Sequence, residues 1–218
     1  MNTTEKTRES VLTAMFAAII CLLAFVPYLG YIPLGVMNAT TIHIPVIIGA
    51  MFLGPKRGAV LGGMFGLTSL LNNTFKPSAT SFVFSPFLSA GLEGNAFVSA
   101  LSSLIVCFVP RILIGVVSYY VFLLFFRLMK HQKTIAYIAG GLAGSLTNTI
   151  LVMGGIYLLF GESYAAAKGI SFNALYGVIM GIIGANGVPE AIIACLITAA
   201  VCPILRRIKP LHAERKTN

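Results

Sequence analysis

The sequence predicts an all-α membrane protein, a bundle of six transmembrane helices with the N- and C-termini both cytoplasmic. Three observations carry this. Of 218 residues, 57% are hydrophobic and only 10% charged, where an ordinary soluble domain has about 45–50% and about 25%. That is too little charge to hydrate a soluble surface, and too much apolar residue for disorder. The apolar residues gather into six stretches divided by short polar or Gly/Pro-containing segments. The basic residues then alternate between ends: Lys6, Arg8, Lys56, Arg57, Arg127, Lys130, Lys133, Arg206, Arg207, Lys209, Arg215 and Lys216 fall on one side, Lys76 and Lys168 on the other. Twelve against two orients the bundle by the positive-inside rule. It also accounts for the net charge of +9 without a nucleic-acid partner.

The first span is expected at 11–26. Glu5, Lys6, Arg8 and Glu9 precede it and no small-residue cleavage site comes before Pro27, so it reads as a retained helix and not a signal peptide. The second and third, at 41–53 and 58–71, are short of the ~20 residues a spanning helix needs and are expected to borrow uncharged neighbours. The fourth is expected at 110–126, because proline suits the first turn of a helix; the apolar segment before Pro110 is then a helical or interfacial part of the outer connection. The fifth and sixth, at 134–160 and 173–205, are long enough to tilt. Residues 1–218 read as a single integral membrane domain.

Small residues recur at spacing four, which puts them on one helix face. Gly58, Gly62 and Gly66 do so in the third span, Ala136, Gly140 and Gly144 in the fifth, Gly177, Gly181 and Ala185 in the sixth, and Ala14 and Ala18 in the first. Such stripes let helix backbones approach closely in lipid. Most are expected to pack inside the bundle; Ala14 and Ala18, near the cytoplasmic end, are the best candidates for an external docking face.

Polar residues collect in the outer half. Tyr28, Tyr31, Asn38, Thr41 and His43 lie in or beside the first outer connection, Asn72 and Asn73 end the third span, Phe84 lies in the next connection, and Asn148 sits deep in the fifth span. Intramembrane charge is expensive and marks function by default; Arg111 and Glu190 are the two cases. Arg111 is read equally well as a tie to Glu190 or Glu93 and as the partner of a ligand carboxylate, which its planar fork suits. Glu190 reads as structural, beside Pro189, which loosens its helix and leaves carbonyls in need of partners. A lining rich in hydrogen-bonding and aromatic groups suits one small polar molecule better than an ion filter.

Other chemistries find little support. The four cysteines form no C-x-x-C pair and the three histidines no H-x-x-x-H pair, so neither a disulfide framework nor a metal site is expected. No G-x-x-x-x-G-K-[ST] loop occurs, so ATP hydrolysis by that route is excluded. A hydrolase would rest on His43 alone, with no acid placed beside it. The chain is read as a non-enzymatic solute binder, without a cofactor, whose energy comes from a partner.

Ala14-x-x-x-Ala18, the charge-poor first outer connection, Gly54-Pro55-Lys56-Arg57-Gly58 and Pro110-Arg111 together resemble the substrate-binding (S) component of energy-coupling factor (ECF) vitamin transporters, over nearly the whole chain. Within that family, four runs are most similar to the pantothenate-specific member: Pro27-Tyr28-Leu29-Gly30-Tyr31-Ile32-Pro33-Leu34-Gly35, Asn38-Ala39-Thr40-Thr41-Ile42-His43-Ile44-Pro45, Leu70-Leu71-Asn72-Asn73-Thr74-Phe75 and Asn186-Gly187-Val188-Pro189-Glu190. The resemblance implies capture of the vitamin from outside under a first outer loop acting as a lid. It implies docking on a membrane coupling subunit with two cytoplasmic ATPase subunits, and release inward as the S component topples in the bilayer. Docking through Ala14 and Ala18 is the matching expectation. Pantothenate, a small anion with two hydroxyls and one amide, suits Arg111 for the carboxylate, Asn38, Asn72, Asn73 and Asn148 for the amide and hydroxyls, and Tyr28, Tyr31 and Phe84 for the dimethyl group. Folate or a pyrimidine precursor is the alternative ligand; the absence of Trp leaves fewer stacking groups for an aromatic one.

Overall fold

A computed structural model describes residues 3–26, 30–33, 38–92, 95–129 and 132–208. The chain is nearly all helical. The first helix, α1 (Thr3–Phe25), leads into a short antiparallel hairpin of β1 (Tyr31–Pro33) and β2 (Asn38–Thr40), in which Tyr31 faces Thr40 and Pro33 faces Asn38. This hairpin is a small addition to the helical architecture that the sequence leads one to expect. Its strands of three residues are too short to give the alternating pattern by which strands are read from sequence.

Next comes α2 (His43–Leu53), with every residue buried. Eleven residues make about 16 Å of helix, short of the ~30 Å hydrocarbon layer. Gly54, at φ 92°, takes the left-handed turn that ends α2, and Pro55 opens α3 (Pro55–Phe75). Here the stripe of Gly58, Gly62 and Gly66 packs as expected, against α5 (Ala96–Leu128). A Cβ on Gly62 would run into the Arg111 carbonyl, one on Gly58 would reach the Gly115 carbonyl at 3.0 Å, and one on Gly66 would meet the Phe108 ring at 2.8 Å. Cys107 adds an Sγ–H donated to the Gly66 carbonyl at 3.3 Å.

The connection after α3 holds a 3₁₀ turn (Ser81–Val83) and the one-turn helix α4 (Pro86–Ser89). Then α5 starts at Ala96, where the Asn95 side chain accepts the Phe97 N–H at 3.0 Å. The expected start at Pro110 is therefore corrected: Pro110 lies inside one continuous helix. It lacks the N–H that would bond the Val106 carbonyl four residues back, and Arg111 Nη1 donates to that carbonyl at 2.6 Å. The proline defect is repaired by its own neighbour, so the helix runs through.

The longest helix, α6 (Lys133–Lys168), bends at Phe160, whose backbone is non-helical, and ends at Gly169 in the left-handed region. There the Phe160 ring meets Phe82 edge-on, centroids 5.8 Å apart. Finally α7 (Phe172–Ile182) continues through a π turn (Ile183–Gly187) into α8 (Val188–Ile208). Pro189 follows that turn and cannot donate to Ala185, and a shifted hydrogen-bond register absorbs the gap. Among the described residues, four helical stretches are long and apolar enough to cross a membrane: Glu5–Phe25, Ala96–Leu128, Lys133–Lys168 and Phe172–Arg207.

Two apolar clusters flank the functional region. The larger wraps α2 with Ile20, Leu61, Phe65, Ile114, Phe122 and Tyr137. The smaller joins Phe82, Val83, Val106, Val152, Ile156, Phe160 and Tyr164. Nearer the start of α1, the Arg57 guanidinium pairs with buried Glu9 at 3.0 Å and donates to Thr13 Oγ1 at 3.3 Å, pinning α1 to the start of α3.

Candidate functional site

A cavity of about 400 Å³ lies between α3, α5, α6, the π turn and the hairpin. Three rows of side chains at helical spacing build most of it. From α3 come Phe65, Ser69 and Asn73; from α6, Asn148, Val152 and Ile156, then Tyr164 and Lys168 beyond the bend; from the last helical rod, Ile182, Asn186 and Glu190. Residues four apart share a face, so each helix turns one edge to the same space. Arg111 of α5, Thr40 of the hairpin and Phe84 of the outer connection complete the walls.

Arg111 has its surroundings fixed on several sides. It is 5% exposed. Besides its bond to the Val106 carbonyl, its guanidinium lies 4.9 Å from the Phe84 ring centroid and 5.6 Å from that of Phe65. Ring faces stabilise a desolvated cation and hold the fork's plane. Among the described residues no ion pair joins Arg111 to Glu190. Glu190 instead accepts the backbone N–H of Thr40 at 2.6 Å, tying α8 to the hairpin. The lining thus carries Arg111 and Lys168 against Glu190, an excess of one positive charge that favours an anion.

The rest of the lining supplies hydrogen bonding and a mould. Asn73 is held by its own neighbours: its Nδ2 donates to the Ser69 carbonyl at 2.8 Å and its Oδ1 accepts from Ser81 Oγ at 2.8 Å. The Ser81 hydroxyl in turn accepts the Ser78 N–H at 2.9 Å. This network fixes the outer connection against the end of α3. Asn148 is 9% exposed, and its Oδ1 has no hydrogen-bond partner. A turn of this amide toward the cavity would let a ligand satisfy that oxygen. Val152, Met153, Ile156 and Ile182 give an apolar wall. Lys168 is exposed and sits over the Tyr164 ring, 6.0 Å from its centroid, at the C-terminal end of α6.

Of the residues expected from sequence, the cavity brings together Arg111, Asn73, Phe84 and Asn148. Thr41 and Asn72 are half-buried and His43 is fully buried at the start of α2; none of the three lines the cavity. Tyr28 and the side chains of Tyr31 and Asn38 lie outside the described residues. Lining residues that sequence reasoning did not assign to the site include Thr40, Ser69, Tyr164, Lys168, Asn186 and Glu190. Spacing of four was the available signal: Asn148 points forward to Tyr164 and Lys168, and Glu190 back to Asn186.

Comparison with known proteins follows the same direction. Residues 8–202 match the family described as the ECF transporter, substrate-specific component. The chain is 34% identical over 175 residues to a pantothenic acid transporter, PanT, of Lactococcus lactis subsp. cremoris, covering 79% of this chain and 80% of that protein. It is 32% identical over 211 residues to a pantothenate transporter, PanT, of Leuconostoc mesenteroides subsp. mesenteroides, covering 92% of this chain and 93% of that one.

Proposed function

The chain belongs to the family of ECF transporter substrate-specific components, and on that premise we propose that it is the pantothenate-binding subunit of an ECF importer. It is a multi-pass protein of the cell membrane. The observation that carries the ligand assignment is a buried arginine, held between two aromatic rings, in the wall of a net-positive cavity of about 400 Å³. The transport function that both relatives carry in their names supports the same reading.

In this reading Arg111 takes the carboxylate by charge-assisted hydrogen bonds, and Asn73 and Asn148 meet the amide and hydroxyls. Phe84 and the apolar wall of α6 cover the dimethyl group. The hairpin of β1 and β2 closes the cavity from the outer side. The bundle crosses the membrane six times with both termini cytoplasmic, counting α2 with its hairpin and α3 among the spans. Ala14 and Ala18, exposed on α1, form the face that docks on a membrane coupling subunit; two ATPase subunits on that partner supply the energy, and the S component topples to release its vitamin.

The test is a pantothenate titration of the purified chain and two variants. Arg111→Ala is expected to weaken binding by about 3 kcal/mol, roughly a hundredfold. Lys76→Ala, a basic residue on the exposed end of α3, is expected to stay within about twofold of the parent. Equal small effects in both would remove Arg111 from the site.

A further inference from the structure

We propose that Glu190 is a specificity-determining residue that reads the hydrogen-bond donors of the ligand and, through the same carboxylate, holds the outer hairpin; the proposal rests on the pantothenate reading above. One oxygen, Oε1, accepts the Thr40 N–H at 2.6 Å, and Thr40 ends β2 and lines the cavity itself. Glu190 is 7% exposed and lines the cavity. Its other oxygen, Oε2, accepts no hydrogen bond among the described residues and is not one of the fully enclosed polar atoms. It is open to whatever fills the cavity.

A second acceptor stands at the same height. A Cβ on Gly187 would meet Thr149 Cγ2 at 2.8 Å, and one on Gly141 would meet the Ala194 carbonyl at 3.1 Å. These contacts fix an antiparallel register between α6 and α8. In that register Glu190 and Asn148 lie within one turn of each other. Asn148 Oδ1 is enclosed and has no partner. Glu190 Oε2, open to the cavity, calls for a ligand end that donates through a hydroxyl, and Asn148 adds a second acceptor once its amide turns to the cavity. A second acid group is disfavoured beside the Glu190 carboxyl, so the acid end of the ligand turns toward Arg111. Glu190 therefore sets both the identity and the direction of the bound molecule. Because Oε1 already holds Thr40, a donor that reaches Oε2 also steadies the carboxylate on which the hairpin rests.

Glu190→Gln separates the two duties. Its amide oxygen can still accept the Thr40 N–H, while its NH₂ group faces the cavity as a donor. The variant and the parent chain are titrated with pantothenate and with an analogue whose two hydroxyls are replaced by hydrogen; both ligands keep the carboxylate. The expected result is a loss of about tenfold or more for pantothenate in the variant, with the analogue changed by less than about twofold. Equal losses for both ligands, or no loss for either, would overturn the proposal. A parent chain that binds neither ligand would overturn the pantothenate reading itself. Should the variant fail to fold, hydrogen exchange at the Asn38–Thr40 amides of the parent chain gives the same answer. Pantothenate is expected to slow it more than the analogue does at equal occupancy, and equal slowing would contradict the proposal.

Discussion

Pro110 removes a hydrogen bond from the middle of α5, and Arg111 places a cation in the same buried turn. Together they cancel part of each other's cost. The carbonyl that Pro110 leaves unpaired accepts Arg111 Nη1, so the arginine acts on its own helix while it lines the cavity. A carbonyl bonded to a charged donor is worth roughly 1.5–3 kcal/mol net. Pro110→Ala restores a backbone donor for Val106. The Arg111→Ala change should therefore destabilise the Pro110→Ala background less than the parent, by about 1–2 kcal/mol in a double-mutant cycle. Denaturation of the four proteins measures it; additive effects would mean that Arg111 does not serve the proline's missing bond. Arg111 was legible in the sequence as the basic residue that fitted neither side of the membrane. Its bond to Val106 was not, because expecting the helix to begin at Pro110 left no preceding carbonyl to satisfy.

At the level of elements, the small-residue stripe of α3 makes a sharp prediction. Gly62 faces backbone atoms of Arg111 and Ile112, which cannot move aside as a side chain can, whereas a Cβ on Gly63 meets nothing within 4 Å. Gly62→Ala is expected to destabilise by about 1–3 kcal/mol through overpacking. Gly63→Ala should be neutral or stabilise by up to about 1 kcal/mol through helix propensity. Thermal melting of the two variants checks this, and equal behaviour would contradict the α3–α5 contact. The stripe was legible because spacing four survives in any helix. The Gly177 and Gly181 stripe looked the same in sequence, yet neither position meets a neighbour within 4 Å; spacing finds a face and does not say what covers it. The hairpin was hidden for a different reason. Its pairing is set by the contacts of a loop, Thr41 donating to the Gly30 carbonyl at 3.0 Å and Glu190 accepting from Thr40, and not by an alternating pattern.

For the whole molecule, charge asymmetry and apolar length were enough to place the chain in a membrane, and four long apolar helices agree with that. The cavity was partly legible. Polar residues in the half expected to be outer pointed to it, but His43 and Thr41 belong to the same set without lining it, since depth alone does not give a side chain's direction. On α1, Ala14 and Ala18 are exposed beside Val11, Met15, Ile19 and Leu22, and none of these lines the cavity. Replacing both alanines with leucine should abolish pantothenate uptake in cells while leaving binding by the purified chain within about twofold, because bulk on this face bars close helix approach without touching the ligand. Uptake that survives would place the docking face elsewhere.

The central claim is that the cavity holds pantothenate. It is tested most directly by mass spectrometry of the small molecule carried through purification with the chain alone, free of coupling and ATPase subunits. Pantothenate, released on denaturation at up to one molecule per chain, is the predicted result. A different molecule released at that stoichiometry, such as an aromatic vitamin that added pantothenate cannot displace, would contradict the account.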